Sequence, residues 1–151
     1  QHSVKMLSET GVHPDILVCR TEEPLNNDIK RKIALFCNVK PEAVIEAMDA
    51  STIYEVPLVM MREKLDIICL KKMNITGYGE PELSRWKEFI DKLKYPKSKV
   101  TIGLIGKYIE LQDAYKSILE AFVHAGAVQE AEVHVVNLHS EHINAENVAG
   151  L

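Results

Sequence analysis

The spacing of apolar residues along the chain predicts alternating helices and strands. Five segments have helical character, and four short runs are continuously apolar or alternate with polar residues. The predicted helices span 1–9, 27–37, 57–72, 82–95 and 111–125, and the predicted strands span 16–19, 43–47, 100–105 and 132–138. Strands that alternate with helices are typical of a parallel sheet, so the sequence predicts an α/β fold.

A few residues indicate how these elements begin, end and pack. Pro57 is suited to the first turn of the third helix, and Gly126 is expected to cap the last one. The second helix has Ile29, Ile33 and Phe36 at helical spacing, which predicts that these three form its apolar face.

Glycine and proline residues cluster in the middle of the chain. Gly77, Gly79 and Pro81 interrupt the helical pattern, and Pro96 ends the amphipathic segment that follows. These glycine and proline residues predict a domain boundary between about residues 75 and 98. The chain is therefore predicted to contain the end of one α/β domain, a linker and the start of another.

Composition and charge exclude several classes of protein. The 151 residues are 46% hydrophobic with a net charge of −4, and neither half has the positive excess that binding to nucleic acid requires. No apolar run approaches the roughly 18 residues of a membrane span. Cys19, Cys37 and Cys69 are widely spaced in apolar sequence, which favours reduced thiols in a cytoplasmic protein.

The sequence does not match the familiar catalytic motifs. Gly103–Lys107 superficially resembles a phosphate-binding loop, but the spacing is wrong and Tyr108 replaces the Ser or Thr that should follow the lysine. No nucleophile elbow is present. His134 is predicted on the opposite strand face from His139, so this histidine-rich region is not expected to bind metal. The residues alone indicate parts of two α/β domains without a complete catalytic group.

Several runs of the chain nevertheless resemble the CTP synthase family, in order and at matching intervals. They are QHSVK at 1–5, PDILVCR at 14–20, KIALFCNV at 32–39, IY at 53–54, TIG at 101–103 and KYIELQDAYKS at 107–117. The resemblance covers essentially the whole chain.

The resemblance implies a domain order. In this family a P-loop-type amidoligase domain with a parallel sheet precedes a class I glutamine amidotransferase α/β domain. Residues 1–75 correspond to the C-terminal part of the amidoligase (synthetase) domain, 76–98 to the interdomain linker with its helix, and 99–151 to the N-terminal part of the amidotransferase domain.

The resemblance also implies an activity. The family is a glutamine-hydrolysing C–N ligase that makes CTP from UTP, with ATP phosphorylating the uracil 4-oxygen and ammonia from glutamine displacing the phosphate. ATP and Mg²⁺ are the expected cofactors, but the family's P-loop and metal-binding acids lie upstream of this stretch. The amidotransferase Cys, His and Glu lie downstream, so this stretch is expected to hold no catalytic residue and to be inactive alone.

The resemblance assigns UTP or CTP binding to three residues. Gln1 matches the last residue of the family's pyrimidine-nucleotide motif, and Lys32 matches a lysine that contacts the nucleotide phosphates. Phe36 lies one helical turn further on the same side and is a candidate for the pyrimidine pocket, with core packing as the open alternative. Without the resemblance, Lys32 would be interpreted as a solvated helix lysine.

ATP binding is assigned to a second group. Met48, Asp49 and Ala50 match the segment that binds adenine, and Arg20, predicted at the end of a strand, can stack its guanidinium on the base. The alternatives are an ordinary strand-to-helix loop and a structural salt bridge of Arg20.

The expected partners are UTP, CTP, ATP and glutamine, with GTP as an activator, in a homotetramer. A competing hypothesis is a non-catalytic nucleotide-binding or assembly module. Phosphate-dependent binding to the isolated chain would support that hypothesis.

Overall fold

A computed structural model describes residues 2–150, apart from the side chains of residues 112 and 149. The chain divides into two compact units, Gln1–Glu80 and Pro81–Leu151. Each unit contains a two-stranded parallel sheet flanked by helices. The predicted α/β class and the parallel strand pairing are therefore confirmed. No helix among the described residues is long and apolar enough to cross a bilayer.

The helices and strands follow the predicted order. The described helices are α1 His2–Glu9, α2 Asn27–Cys37, α3 Val56–Arg62, α4 Leu65–Lys72, α5 Ser84–Lys94 and α6 Lys116–Gln129. The described strands are β1 Leu17–Thr21, β2 Val44–Met48, β3 Ser98–Gly106 and β4 Ala131–His139.

In the first unit, β1 and β2 pair in register from Leu17 opposite Val44 to Thr21 opposite Met48. The connecting helix α2 has strong signals at both ends. The Asn26 side chain accepts a hydrogen bond from the backbone N–H of the third helical residue, and Asn38 ends the helix in the left-handed conformation at φ 53°. The buried core comprises Ala34, Cys37, Ala43, Val44 and Ile45.

In the second unit, β3 and β4 pair in register from Ser98 opposite Ala131 to Gly106 opposite His139. Helix α6 connects the two strands and packs on β4 through Gly126, where a side chain would collide with the backbone oxygen of Ala131. Helix α5 packs beside α6.

The predicted apolar face of α2 is wrong at Phe36 and at Ile29, which is 40% exposed. The phenyl side chain is 72% exposed, and the small side chains of Ala34 and Cys37 face the sheet instead. Successive helical residues are about 100° apart, so the face that holds Ala34 and Cys37 turns Phe36 away from the sheet.

The predicted helix over 57–72 is two helices. Lys64 adopts φ 59°, which breaks the helical path between α3 and α4. Pro57 does lie in the first turn of α3, as predicted.

The last predicted helix is shifted along the chain. A 3₁₀ turn, Gln112–Tyr115, precedes α6, so α6 begins five residues later than predicted. Gly126 lies inside α6, and Glu130 caps the helix at φ 52°. The cap prediction is wrong because Gly126 is needed for close packing rather than for a left-handed turn.

Candidate functional site

The carboxyl ends of β1 and β2 bring together an arginine and an aspartate. Arg20 lies opposite Ala47 in the parallel ladder, and the backbone N–H of Asp49 donates to the carbonyl of Thr21 at 3.2 Å, just beyond the last strand pair. This register places Arg20 Nε 2.9 Å from Asp49 Oδ1. The hydrogen bond and the negative charge of Asp49 raise the pKa of Arg20, which stays cationic.

These two residues belong to an open cleft that we call the strand-end cleft. It has a volume of about 540 Å³ and is lined by Arg20, Thr21, Glu22, Glu23 and Asp49. The Arg20 side chain is 84% exposed, so the salt bridge occupies one edge of the guanidinium and leaves its plane open. The two lining glutamates disfavour phosphate groups inside the cleft. The cleft is therefore better suited to a base or a sugar than to a polyphosphate.

Met48 and Ala50 flank Asp49 at the same strand end. Met48 is exposed and Ala50 is half-buried. The Asp49 N–H is already used by the β-ladder, which leaves the Asp49 carbonyl and the Ala50 N–H as the backbone groups that can meet the edge of a base. Of the four residues assigned to ATP, the structure brings Arg20 and Asp49 together in the cleft, whereas Met48 and Ala50 flank Asp49 in the chain and do not line the cleft.

Lys32 and Phe36 lie on the exposed face of α2, four residues apart and therefore one above the other. Neighbouring apolar side chains on this face are Ile29, 40% exposed, and Leu35, 79% exposed. A free ammonium next to an exposed ring can bind a phosphate chain and a base together. Gln1, the third residue assigned to UTP or CTP, lies outside the described residues.

The two candidate groups remain separate within the first unit. In the part of the chain that the structure describes, no hydrogen bond or ion pair joins Lys32 to Arg20 or Asp49. Helix α2 turns its buried side toward the sheet, whereas Lys32 is on its exposed side. The arrangement provides two binding surfaces rather than one reaction centre.

A polar cluster beneath α2 fixes its position, and the sequence analysis did not predict it. Lys30 Nζ donates to Glu63 Oε2 at 2.9 Å and lies 3.6 Å from Glu46 Oε2. Glu63 Oε2 also accepts from the backbone N–H of Glu46 at 3.0 Å, and Glu46 Oε2 accepts from the backbone N–H of Leu25 at 2.8 Å. The one sequence signal for this cluster was Glu46, an acidic residue in the middle of the apolar strand β2.

The cluster changes the acidity of its members. Partial burial acts to lower the pKa of Lys30, but the hydrogen bond and charge of Glu63, with the charge of Glu46, outweigh it and raise the pKa. Partial burial acts to raise the pKa of Glu63, but the hydrogen bonds from Lys30 and from the Glu46 backbone lower it overall. Both groups are therefore held in their charged forms.

The described residues contain no group of three or more His, Cys, Asp and Glu side chains placed to hold a metal ion. His139 and His142 stack at 4.8 Å between ring centroids, and His139 lies 3.9 Å from a Glu110 oxygen, whereas His134 is exposed on β4.

Comparison with known proteins establishes the family. A family model described as CTP synthase N-terminus matches residues 1–75. The CTP synthase of Flavobacterium johnsoniae is 59% identical over 148 residues, which is 98% of this chain and 28% of that protein. The chain belongs to the CTP synthase family.

The similarity extends across distant organisms. The CTP synthase of Cytophaga hutchinsonii is 57% identical over 98% of this chain, and that of Methanocaldococcus jannaschii is 51% identical over 97%. The chain spans slightly more than a quarter of the length of these relatives, 28% and 27% respectively. Nearly every residue described above therefore lies within the matched region.

Proposed function

We propose that this chain is the part of a CTP synthase that helps to bind two nucleotides. The parent enzyme is a glutamine-hydrolysing C–N ligase that uses ATP and ammonia from glutamine to convert UTP to CTP. The similarity over 98% of the chain to a CTP synthase carries the proposal. The placement of Arg20 and Asp49 in one cleft supports it.

In this proposal, the first unit belongs to a P-loop-type amidoligase domain and the second to a class I glutamine amidotransferase domain. The residues between about 76 and 98 form the linker. The parent is a cytoplasmic homotetramer that uses Mg²⁺, and GTP activates it. The P-loop, the metal-binding acids and the amidotransferase Cys, His and Glu come from other parts of the parent, so this stretch supplies binding and no catalytic residue.

The strand-end cleft is proposed to receive the adenosine end of ATP. Asp49 holds Arg20 by one edge, so the guanidinium plane can stack on adenine while the Asp49 carbonyl and the Ala50 N–H meet the base edge. Met48, exposed next to Asp49 outside the cleft lining, is proposed to flank the base. Glu22 and Glu23 accept hydrogen bonds from ribose hydroxyls and repel the triphosphate, which fixes the direction in which ATP lies.

The exposed face of α2 is proposed to receive UTP or its product CTP. Lys32 provides a compact positive charge for the triphosphate, and Phe36 packs against the pyrimidine. Gln1 completes this site. Because Lys32 has no ion-pair partner among the described residues, it can bind phosphate without breaking an existing interaction.

Steady-state kinetics on the full-length enzyme tests both assignments. We expect Lys32→Ala to raise KM for UTP about tenfold or more, the size expected for losing a charge-assisted hydrogen bond, with little change for ATP. We expect Arg20→Ala to raise KM for ATP instead. Lys87→Ala, an exposed lysine of α5 outside both sites, is the matched control and should leave both constants unchanged.

Two results would contradict the proposal. Equal effects of Lys32→Ala and Arg20→Ala on KM for both substrates would show that the two residues do not bind different nucleotides. An intact polypeptide that binds nucleotides but makes no CTP from UTP, ATP and glutamine would favour the non-catalytic nucleotide-binding or assembly module.

A further inference from the structure

A second cavity of the first unit has no role in the sites above. It has a volume of about 690 Å³, lies where α2, the 3₁₀ turn Pro41–Ala43 and α4 meet, and is within the size range of small-molecule sites. Its apolar lining includes Ala43, Val44, Ile67 and Ile68. None of the residues proposed to bind UTP or ATP lines it.

Basic side chains dominate the polar lining of this cavity, although the chain as a whole is acidic. Two acidic side chains, Glu42 and Glu63, line it as well. The basic lining residues are Lys30, Arg31, Lys40, Lys64, Lys71 and Lys72. This concentration of positive charge occurs in a protein whose net charge is −4.

Ion pairs neutralise only a minority of these cations. Lys30 is paired with Glu63 and Glu46, and Lys72 Nζ is paired with Asp15 at 2.8 Å. The four remaining cations have no ion pair or side-chain hydrogen bond within the described residues, and they face a single unpaired acid, Glu42. These four are Arg31, Lys40, Lys64 and Lys71. The cavity therefore holds an uncompensated positive charge.

We propose that this cavity binds a multiply charged phosphate anion. The four unpaired cations are exposed at the rim of a concave surface with an apolar floor, and their like charges add to a positive potential there. An anion with three or more negative charges would relieve the mutual repulsion of the cations. The shared chemistry is a phosphate chain, either inorganic or carried by a nucleoside.

One member of the cluster occupies a costly backbone conformation. Lys64 is a non-glycine residue at φ 59°, in the turn that opens α4 beside the cavity. For an L-residue this conformation costs about 1–2 kcal/mol. The turn directs the chain so that both its lysine and the start of α4 line the cavity.

The test is a calorimetric titration of the full-length protein with inorganic triphosphate. Saturating UTP and a non-hydrolysable ATP analogue occupy the proposed nucleotide sites first. The test variant is Lys40→Gln with Lys71→Gln, because neither lysine has an acidic partner that would be left unpaired. We expect about a tenfold or greater loss of affinity, and a weaker dependence of affinity on salt.

The matched control removes the same charge elsewhere. Lys5→Gln with Lys87→Gln changes two exposed lysines that do not line the cavity, and it should leave triphosphate affinity unchanged. A second titration with a purine nucleoside triphosphate identifies the source of the phosphate chain. Tighter binding than inorganic triphosphate indicates a nucleotide, and equal binding indicates the phosphate chain alone.

Three results would overturn the proposal. They are the absence of triphosphate binding to the nucleotide-saturated protein, equal binding by the test variant, and equal losses in the test and control variants. The inference does not depend on the proposed function. Lys40→Gln with Lys71→Gln should leave KM for UTP and ATP unchanged, whereas Lys32→Ala alters KM for UTP without affecting triphosphate binding.

Discussion

At the scale of single residues, the Lys30 side chain links three elements of the first unit. It extends from α2 to Glu63 in the turn between α3 and α4, and toward Glu46 on β2. Its side chain is 22% exposed, and those of Glu46 and Glu63 are 13% and 28% exposed. At this degree of burial an ion pair is screened less than a surface pair, and removing Lys30 leaves two partly buried acids with backbone N–H donors but without their cation.

Lys30→Met is therefore expected to lower the free energy of unfolding by about 2 kcal/mol at neutral pH. Methionine retains most of the apolar stem, so the loss reports the charge and its hydrogen bonds. The measurement is urea denaturation of wild type and variant. Lys92→Met is the control, because Lys92 forms a single i,i+4 pair at 2.7 Å with Glu88, whose side chain is 63% exposed, and its loss should have little effect.

The same cluster predicts how the effect depends on pH. The lowered pKa of Glu63 gives stability that is complete above the ordinary glutamate pKa of about 4.3 and is lost as pH falls through the lowered value. The raised pKa of Lys30 gives stability that is complete below about 10.4 and is lost as pH rises through the raised value. The difference between wild type and Lys30→Met should thus shrink at acid pH. An effect that is constant across this range would show that packing, rather than charge, is responsible.

Residue chemistry explains which site residues could be predicted. Arg20 and Asp49 follow two predicted strands, and the carboxyl ends of parallel strands meet, so their proximity follows from the pattern. Phe36 was placed incorrectly because α2 has apolar residues on two sides, and periodicity does not show that the smaller pair, Ala34 and Cys37, fits against the sheet. Glu63 is 17 residues from Glu46 along the chain, so no local pattern joins them.

At the scale of elements, the packing of α6 on β4 depends on a glycine. A methyl group at Gly126 would lie 2.6 Å from the Ala131 oxygen and 2.9 Å from Val133 Cγ2. The first of these atoms is backbone and cannot rotate away. The helix and the strand can therefore approach this closely only if residue 126 has no side chain.

Gly126→Ala is expected to destabilise the second unit by about 1–3 kcal/mol, even though alanine is the better helix former. Thermal unfolding followed by circular dichroism measures the loss. Gly79→Ala is the matched control, because no atom lies within 4 Å of the added methyl group and its backbone is not left-handed. A stabilised Gly126→Ala would show that α6 moves away from β4 at no cost.

The elements themselves were predicted unevenly, for physical reasons. Each strand was found within two residues of its observed ends, because short apolar runs mark strands well. The break at Lys64 was missed because a lysine rarely adopts a left-handed conformation and gives no signal in sequence. The start of α6 was missed because the 3₁₀ turn Gln112–Tyr115 has helical composition.

At the scale of the whole molecule, the chain leaves much apolar surface uncovered. Its accessible area is 11387 Å², whereas two compact proteins of half its 17.0 kDa mass would together expose about 9,300 Å². Among the described residues, seven apolar residues are buried, and large side chains on the surface include Leu35, Tyr95 and Val128, all more than two-thirds exposed. As a monomer, the chain therefore leaves these apolar side chains without packing partners.

The isolated 151-residue chain is therefore expected to self-associate, because exposed apolar patches of this extent favour association over a free monomer. Light scattering coupled to size-exclusion chromatography measures the mass, and binding of a hydrophobic dye reports the exposed surface. Leu35→Glu with Val128→Glu places a charge on each unit at positions 79% and 68% exposed, so it should reduce association without disturbing the core. Leu35→Ile with Val128→Ile keeps the surface apolar and should associate like the wild type. A wild-type chain that elutes as a single monomer and unfolds sharply and reversibly would show that this surface tolerates water, and that the parent polypeptide is not required to cover it.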